Sequence, residues 1–194
     1  MKKINVKNLL LTIFSLLLFA IPELSAQTQI DDGTENPLIS QERGRNIISC
    51  NAYDAIKYNG HTLADLNNTE GNASDLNQLI GSPSSVNNDN AILNEVAYYY
   101  GDNKIAFMEG EVIRMEIKKS NWPLTITGKT ITVGDTFSQM KQKFGNDLKI
   151  IYKPTIDDNY TVSFNCNGNE RDGLLINFNT ATNKVVEIIY FVNP

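Results

Sequence analysis

The sequence predicts an α+β fold in which one unit, a short hairpin followed by a helix and an antiparallel meander, occurs twice in tandem. Residues 56–63 and 124–131 lie 68 positions apart, and both resemble a short strand pair around a turn glycine. Each is followed by a helix-like segment, a glycine and a set of alternating strands. Helices that alternate with antiparallel strands pack on one face of their sheet, so we expect the opposite face to be a candidate binding surface.

The hairpins and helices of the two units are predicted from turn and capping residues. Asn59–Gly60 is the dipeptide best suited to a tight turn with positive φ at both central positions. Residues 73–80 place three apolar side chains on one side of a short helix, which is closed by a glycine, and residues 136–144 repeat this pattern. At an offset of 64 the matched pairs are Ser74 with Ser138, Leu76 with Met140, Gln78 with Gln142, Ile80 with Phe144, and Gly81 with Gly145.

The strands of the two units align at an offset of 73 residues. Alternation within 111–117 predicts a half-buried strand. The residues predicted to face inward are Ile113, Met115 and Ile117 in the first unit, and Val186, Ile188 and Tyr190 in the second. Those predicted to face outward are Val112, Arg114 and Glu116, with Glu187 at the place of Arg114. The offset between the two units therefore grows by nine residues, from 64 at the helices to 73 at these strands. The extra residues of the second unit are predicted to lie in the polar turn at 165–173.

The first 26 residues are predicted to be a secretory signal peptide. Lys2, Lys3 and Lys7 precede an almost wholly apolar stretch at 9–21, and a small-residue pattern predicts cleavage after Ala26. The apolar stretch has about 13 residues, fewer than the ~20 that a spanning helix needs. We therefore expect a secreted or periplasmic protein without membrane insertion after cleavage.

The predicted organisation has four parts. They are the signal peptide at 1–26, a leader with a possible helix at 27–52, the first repeat at 53–119 and the second repeat at 120–194. The possible helix covers 38–52, with Ser40 as its N-cap.

The charge balance argues against two classes of partner. Loss of the signal peptide removes three of 17 basic and one of 22 acidic residues, which leaves 14 and 21 and a net charge of −7. An acidic chain without basic runs argues against nucleic acid and against an anionic membrane surface. Another protein of unknown identity is the expected partner.

The only two cysteines, Cys50 and Cys166, are candidates for one disulfide, since the signal peptide predicts an oxidising compartment. The alternative is two buried free thiols that act as small apolar side chains. A disulfide would tie the segment before the first repeat to the second repeat.

The order of elements in the first unit resembles the tandem repeat of the β-lactamase inhibitor protein family. This order is a hairpin, a helix, Gly-Ser-Pro at 81–83, a strand with Tyr-Tyr-Tyr-Gly at 98–101, a further strand, and Gly-Glu-Val-Ile at 110–113. It is also similar to the single unit of outer-membrane assembly lipoproteins of the SmpA/OmlA type, and residues 128–135 resemble uncharacterised bacterial repeat domains. The resemblance implies a helical layer on an antiparallel sheet. The chain departs from these families in having no lipidation cysteine and in Asn146, where proline is usual. The resemblance assigns no inhibitor or assembly activity to any residue of this chain.

Tyr98 and Tyr100 are candidate binding residues because alternation turns them to one strand face and Tyr99 to the other. Trp122 lies at the junction of the repeats, where its indole can wedge between them. The competing interpretation is that these aromatic residues pack under a helix or loop.

The leading hypothesis is a non-enzymatic protein-interaction module that binds through one sheet face or the groove between repeats. The alternative is a small-ligand or carbohydrate-binding protein with an aromatic pocket at the repeat junction. An enzyme is the third hypothesis and needs His61, the only histidine, beside Cys50 or Cys166. No cofactor or metal site is predicted, since the acidic residues at 31–32, 89 and 157–158 lack calcium-loop spacing.

Overall fold

Two sheets and four short helices make up the part of the chain that the computed structural model describes, which is residues 42–90, 94–151, 159–166 and 172–192. The strands are β1 (Asn46–Ile48), β2 (Lys57–Tyr58), β3 (His61–Thr62), β4 (Ser85–Asn90), β5 (Glu95–Tyr100), β6 (Asn103–Met108), β7 (Glu111–Ile117), β8 (Leu124–Ile126), β9 (Lys129–Ile131), β10 (Asn159–Cys166), β11 (Asp172–Asn179) and β12 (Val185–Val192). The helices are α1 (Cys50–Asp54), α2 (Leu63–Asn67), α3 (Ala73–Ile80) and α4 (Phe137–Phe144). The predicted signal peptide, the acidic pairs at 31–32 and 157–158 and the side chain at 89 lie outside the described residues.

The large sheet has eight strands in the order β1-β10-β11-β12-β7-β6-β5-β4. Neighbouring strands are antiparallel except β1, which runs parallel to β10. The meander β4 to β7 and the meander β10 to β12 meet where β7 pairs with β12. The predicted α+β class is therefore confirmed, and the two meanders share one continuous sheet.

The small sheet joins the two predicted hairpins. Its order is β3-β2-β8-β9, so that each hairpin contributes one inner strand. Asn59 and Gly60 both have positive φ, at 51° and 89°, as predicted for their turn. Thr127 and Gly128 adopt nearly the same angles, at 48° and 78°, in the second hairpin. The hairpins thus share one turn geometry and pair with each other through β2 and β8.

Helices α3 and α4 begin and end close to their predicted limits. Asn72 caps α3, and Thr136 caps α4 in a capping box with Gln139. Each helix is followed by a glycine of positive φ, Gly81 at 91° and Gly145 at 106°, whose N–H donates to the carbonyl four residues earlier. Both helices bury an apolar side chain completely against the large sheet's core.

The core lies on one face of the large sheet, beneath the helices and the small sheet. Tyr58 of β2 contacts Tyr190 of β12 edge-on at 5.9 Å between ring centroids, which places the small sheet over the centre of the large one. Phe137 of α4 makes edge contacts at 5.5 Å with Tyr160 and with Phe178, which stack on each other at 5.0 Å. These rings join a helix to two adjacent strands.

The helix predicted for 38–52 is wrong over residues 42–49, and only its last three residues, 50–52, are helical. Residues 46–48 form β1, and helix α1 starts only at Cys50, with Ser49 as its N-cap. The Asn46 side chain donates to the Lys149 and Ser163 carbonyls at 2.9 and 3.0 Å and accepts from the Lys149 N–H at 2.8 Å. These long-range hydrogen bonds hold the segment extended, which helical spacing of nearby apolar residues could not indicate.

Two β-bulges change the predicted inward faces. The β6–β7 register shifts so that Ile113 is the extra residue, and Val112 is buried instead. The β11–β12 register shifts in the same way at Val186, which is 38% exposed, while Val185 is buried. Ile113 and Val186 are therefore not core positions, because an inserted residue reverses the alternation that precedes it.

The loop before α4 is held by a partly buried carboxylate. Asp135 accepts hydrogen bonds from the Lys143 ammonium at 2.9 Å and from the backbone N–H and hydroxyl of Thr132 at 3.0 and 3.2 Å. Burial by itself would raise the pKa of Asp135, but the hydrogen bonds from Lys143 and Thr132 outweigh it and hold that pKa below the usual value. The ionised carboxylate therefore stabilises the fold.

We expect Asp135→Asn to lower the free energy of unfolding by about 1–2 kcal/mol at pH 7, since charged hydrogen bonds are lost. Because the pKa is lower in the folded state, this stabilisation is complete above the unfolded pKa of about 4 and disappears as the pH falls through the folded value. Urea unfolding at pH 7 and near pH 3 measures the effect. Asp147→Asn, an exposed position after α4, is the control; equal losses for Asp135→Asn at both pH values would contradict the prediction.

Candidate functional site

The prediction that Tyr98 offers an exposed binding surface is wrong. Tyr98 is 4% exposed and packs edge-on against Phe107 at 6.0 Å between ring centroids. Its hydroxyl donates to the Gly71 carbonyl at 2.5 Å, in the loop before α3. The sheet face that carries Tyr98 lies under the helical layer, as the competing interpretation had it.

Tyr100 and Trp122 fill the place where an aromatic pocket was expected. Trp122 is buried, Tyr100 is half-buried, and their rings pack at 5.0 Å between centroids. Burial raises the pKa of Tyr100 to about 12. Because Trp122 is buried, it presents no exposed surface, and the prediction for it is wrong. Tyr100 is only half-buried, so it stays a candidate binding residue.

Tyr99 points to the opposite, open face of the large sheet, as alternation requires. The Lys104 ammonium lies 5.9 Å from the centre of its ring, from the neighbouring strand β6. Between the cross-strand pairs Glu95–Met108 and Tyr99–Lys104, the same face carries the small pair Ala97–Ala106. The two alanines are therefore flanked along the strands by larger side chains on both sides.

A hollow of about 720 Å³ lies on this open face, where β6, β7 and β12 come together. Its apolar lining is provided by Met108, Ile113, Phe191 and Val192. The Phe191 ring lies across the neighbouring strand β11, since a Cβ atom at Gly173 would come within 2.7 Å of it. Glycine at 173 therefore lets this ring lie close to the sheet beside the hollow.

A chain of polar contacts crosses the open face from the first meander to the second. Its members, in order from β7 to β10, are Arg114, Glu116, Lys118, Glu187, Asn177 and Thr161. Lys118 is the link between the halves, at 3.0 Å from the Glu116 carboxylate and 3.3 Å from that of Glu187. Arg114 and Glu116, which border the hollow, are thus held in place by contacts that continue through Lys118 to β12.

Glu116 is the charged group at the centre of these polar contacts. Burial by itself would raise its pKa, but hydrogen bonds from Lys118 and Arg114 outweigh burial and hold the pKa below the usual value. The hydrogen bond to Glu116 in turn raises the pKa of Lys118. At neutral pH the pair is therefore ionised, and the Arg114 side chain, 48% exposed, is anchored at its Nε atom by Glu116 at 2.7 Å.

Cys50 and Cys166 are joined by a disulfide, with their Cα atoms 4.8 Å apart. The bond fastens the start of α1 to the end of β10, beside the β1–β10 pairing of Ile48 with Cys166. Both sulfur atoms are used in this bond, so neither supplies a thiol to His61, which lies in the β3 hairpin strand.

Within the described residues, no group of three or more histidine, cysteine, aspartate and glutamate side chains is arranged to hold a metal ion. Over the same part of the chain, none of the helices has the length and apolarity needed to cross a membrane.

Comparisons with known proteins gave one similar structure and no family. No protein-family model matches the chain, and no curated protein matches it. Among solved structures, the chain is similar to an extracellular protein containing a SCP domain from Bacillus anthracis str. Ames, with 14% sequence identity and a TM-score of 0.41. The similarity covers 63% of this chain and 43% of that protein, so the chain spans less than half of its length.

Sequence reasoning missed the hollow but not all of its residues. Alternation placed Arg114 and Glu116 on the outward side, and both line the hollow. The aromatic signal led to Tyr98 and Tyr100 instead, because residue type alone does not tell which face a helix covers. The pairing of β7 with β12, which brings Phe191 beside Arg114, has no local signal.

Proposed function

We propose that this protein is a secreted or periplasmic, non-enzymatic interaction module that binds another protein through the open face of its large sheet. The observation that carries the proposal is the hollow on that face, whose apolar lining of Met108 and Phe191 has charged side chains around it. Helices and the small sheet cover the other face. Apolar patches bordered by charge are typical of protein-binding surfaces.

The size of the open face supports a protein partner. On β10 the residues of this face, Thr161, Ser163 and Asn165, are buried, so its exposed part runs from β11 to β4. Six strands at about 4.8 Å spacing span about 24 Å, and six residues of strand span about 20 Å, which gives on the order of 500 Å². A standard protein interface buries about 800 Å² on each partner. The exposed part of the face therefore has the size of the smaller interfaces, which are typical of transient protein partners.

We also propose that the chain consists of two tandem repeats. The bulge residues Ile113 and Val186 are separated by the 73 residues that align the two sequences. The glycines after α3 and α4 have similar φ angles. A bulge is a specific local feature, so its recurrence at aligned positions supports duplication of one unit. On this basis the resemblance to inhibitor-like and envelope-associated repeat modules stays part of the proposal.

The proposed location rests on the predicted signal peptide and on the disulfide, since structural disulfides persist in oxidising compartments. The non-enzymatic character rests on the sequence, which has one histidine and two cysteines, and those cysteines are bonded to each other.

Binding of a small ligand is the second candidate. The hollow of about 720 Å³ falls within the roughly 300–1,000 Å³ of small-molecule sites. Such a ligand would use the hollow alone, whereas a protein would also cover the polar contacts that lead to Glu187 and Asn177. Substitutions far from the hollow but on the open face therefore separate the two candidates.

Affinity capture from culture medium and cell envelope of the source organism, with the purified protein as bait, tests the proposal. We expect a stoichiometric partner whose recovery falls about tenfold or more for Arg114→Glu combined with Phe191→Ala. These substitutions remove the apolar ring of Phe191 and reverse the charge of Arg114. Lys129→Glu combined with Val86→Ala alters exposed positions away from the open face and should leave recovery unchanged. A partner retained equally by all three proteins would place binding elsewhere.

A further inference from the structure

The hollow on the open face is acidic, and its charges are unevenly distributed. Its lining contains four glutamates and two basic residues, which are Glu95, Glu109, Glu111, Glu116, Lys104 and Arg114. Arg114 is already paired with Glu116. Lys104 lies over the Tyr99 ring at one end. Negative charge is therefore concentrated at the other end, near the β6–β7 turn.

Glu109 and Glu111 form that acidic end. Both side chains are exposed, and they flank Gly110 in the turn between β6 and β7. The Glu111 carboxylate accepts a hydrogen bond from the Asn67 amide at 2.6 Å, and the Asn67 carbonyl oxygen accepts from the Val112 N–H at 2.8 Å. The carboxylate of Glu111 is thus positioned by a neutral group, and no ion pair balances it among the described residues.

Apolar side chains adjoin these carboxylates. Met108 stands between Glu95 and Glu111 in register, on adjacent strands of the same face. Phe191 and Ile113 complete the apolar lining on the side of β12. A long cationic side chain can place its aliphatic part on methionine and phenylalanine while its charged end meets a carboxylate.

We propose that the partner segment recognised by this hollow carries a lysine or arginine next to an apolar residue, with the cation at Glu109 and Glu111 and the apolar group on Met108 and Phe191. This inference rests on the proposed function and names the chemistry of its partner. Charge complementarity selects such a segment, because an acidic rim attracts basic partners and repels acidic ones.

Selection of short random peptides displayed on phage, against the full chain at physiological ionic strength, tests this inference. We expect enriched peptides to carry lysine or arginine beside an aromatic or aliphatic residue. Synthetic copies should bind at least about tenfold more weakly to Glu109→Lys combined with Glu111→Lys. Asp75→Lys combined with Asp147→Lys changes the net charge equally at exposed positions on other elements and should leave their affinity unchanged.

Three results of the peptide selection and binding measurements would overturn the inference. They are enrichment of acidic or uncharged peptides, no enrichment at all, and equal affinity for wild type and the double charge-reversal variant. Glu109→Lys alone, which leaves the Asn67 hydrogen bond to Glu111 intact, keeps the test valid if the double variant does not fold. Sedimentation that shows a dimer dissociated by Glu109→Lys would assign the hollow to a second copy of this chain and also overturn it.

The capture experiment separates this inference from the proposed function. If Arg114→Glu with Phe191→Ala abolishes capture but Glu109→Lys with Glu111→Lys does not, the open face binds a protein and the inferred partner chemistry is wrong. If neither variant affects capture, both proposals fail.

Discussion

Replacement of both Cys50 and Cys166 by serine is expected to lower the free energy of unfolding by about 3–5 kcal/mol. The disulfide closes a loop with a sequence separation of 116 residues. On a chain-entropy account, a cross-link over about 100 residues restricts the unfolded chain by ~4.7 kcal/mol, although relaxation of the fold reduces the measured value. Urea unfolding of the oxidised protein and of the double variant measures the difference.

The loss should also have a local component at the edge of the large sheet. Strand β1 has three residues and pairs only with β10, so the bond beside Ile48 adds to the hydrogen bonds of Asn46 in holding this short edge strand. We expect amide hydrogen exchange to accelerate in β1 and α1 of the double variant before it changes in β7.

The control for this prediction is the wild-type protein treated with a reductant under native conditions, which should match the double variant in stability. A double variant whose free energy of unfolding lies within about 1 kcal/mol of the oxidised protein would show that non-covalent contacts alone hold β1 to β10.

Phe137→Ala is expected to lower the free energy of unfolding by about 3–5 kcal/mol. Phe137 is 2% exposed and contacts the rings of Tyr160 and Phe178 edge-on. Its removal leaves a cavity between α4 and two strands and also removes two aromatic edge contacts, which each contribute about 0.5–1.5 kcal/mol beyond burial. Because Tyr160 and Phe178 are themselves stacked, neighbouring side chains can fill little of this cavity.

Urea unfolding followed by circular dichroism measures the effect of Phe137→Ala. Ser138→Ala is a matched control, since the next residue of the same helix is exposed and should change stability by less than about 0.5 kcal/mol. A loss below about 1 kcal/mol for Phe137→Ala would mean that α4 contributes little to the core.

The elements that sequence reasoning predicted correctly are those with local causes. The turn at Asn59–Gly60 and the glycines that end α3 and α4 depend on residues only a few positions apart. The bulge at Ile113 had no such signal, because β-branched residues fit equally well in a regular strand. Strand β1 was missed for a related reason, since the partners of Asn46 lie more than 100 residues away.

By itself the sequence determined which side chains share a strand face, which turns are tight, and that two segments of similar pattern follow one another. Alternation has a period of two, so it separates Tyr98 and Tyr100 from Tyr99 without indicating which face is covered. Only the tertiary structure decided this, because the helices and the small sheet bury the face of Tyr98. It alone placed β7 beside β12, and that long-range pairing creates the hollow at Phe191 and Arg114.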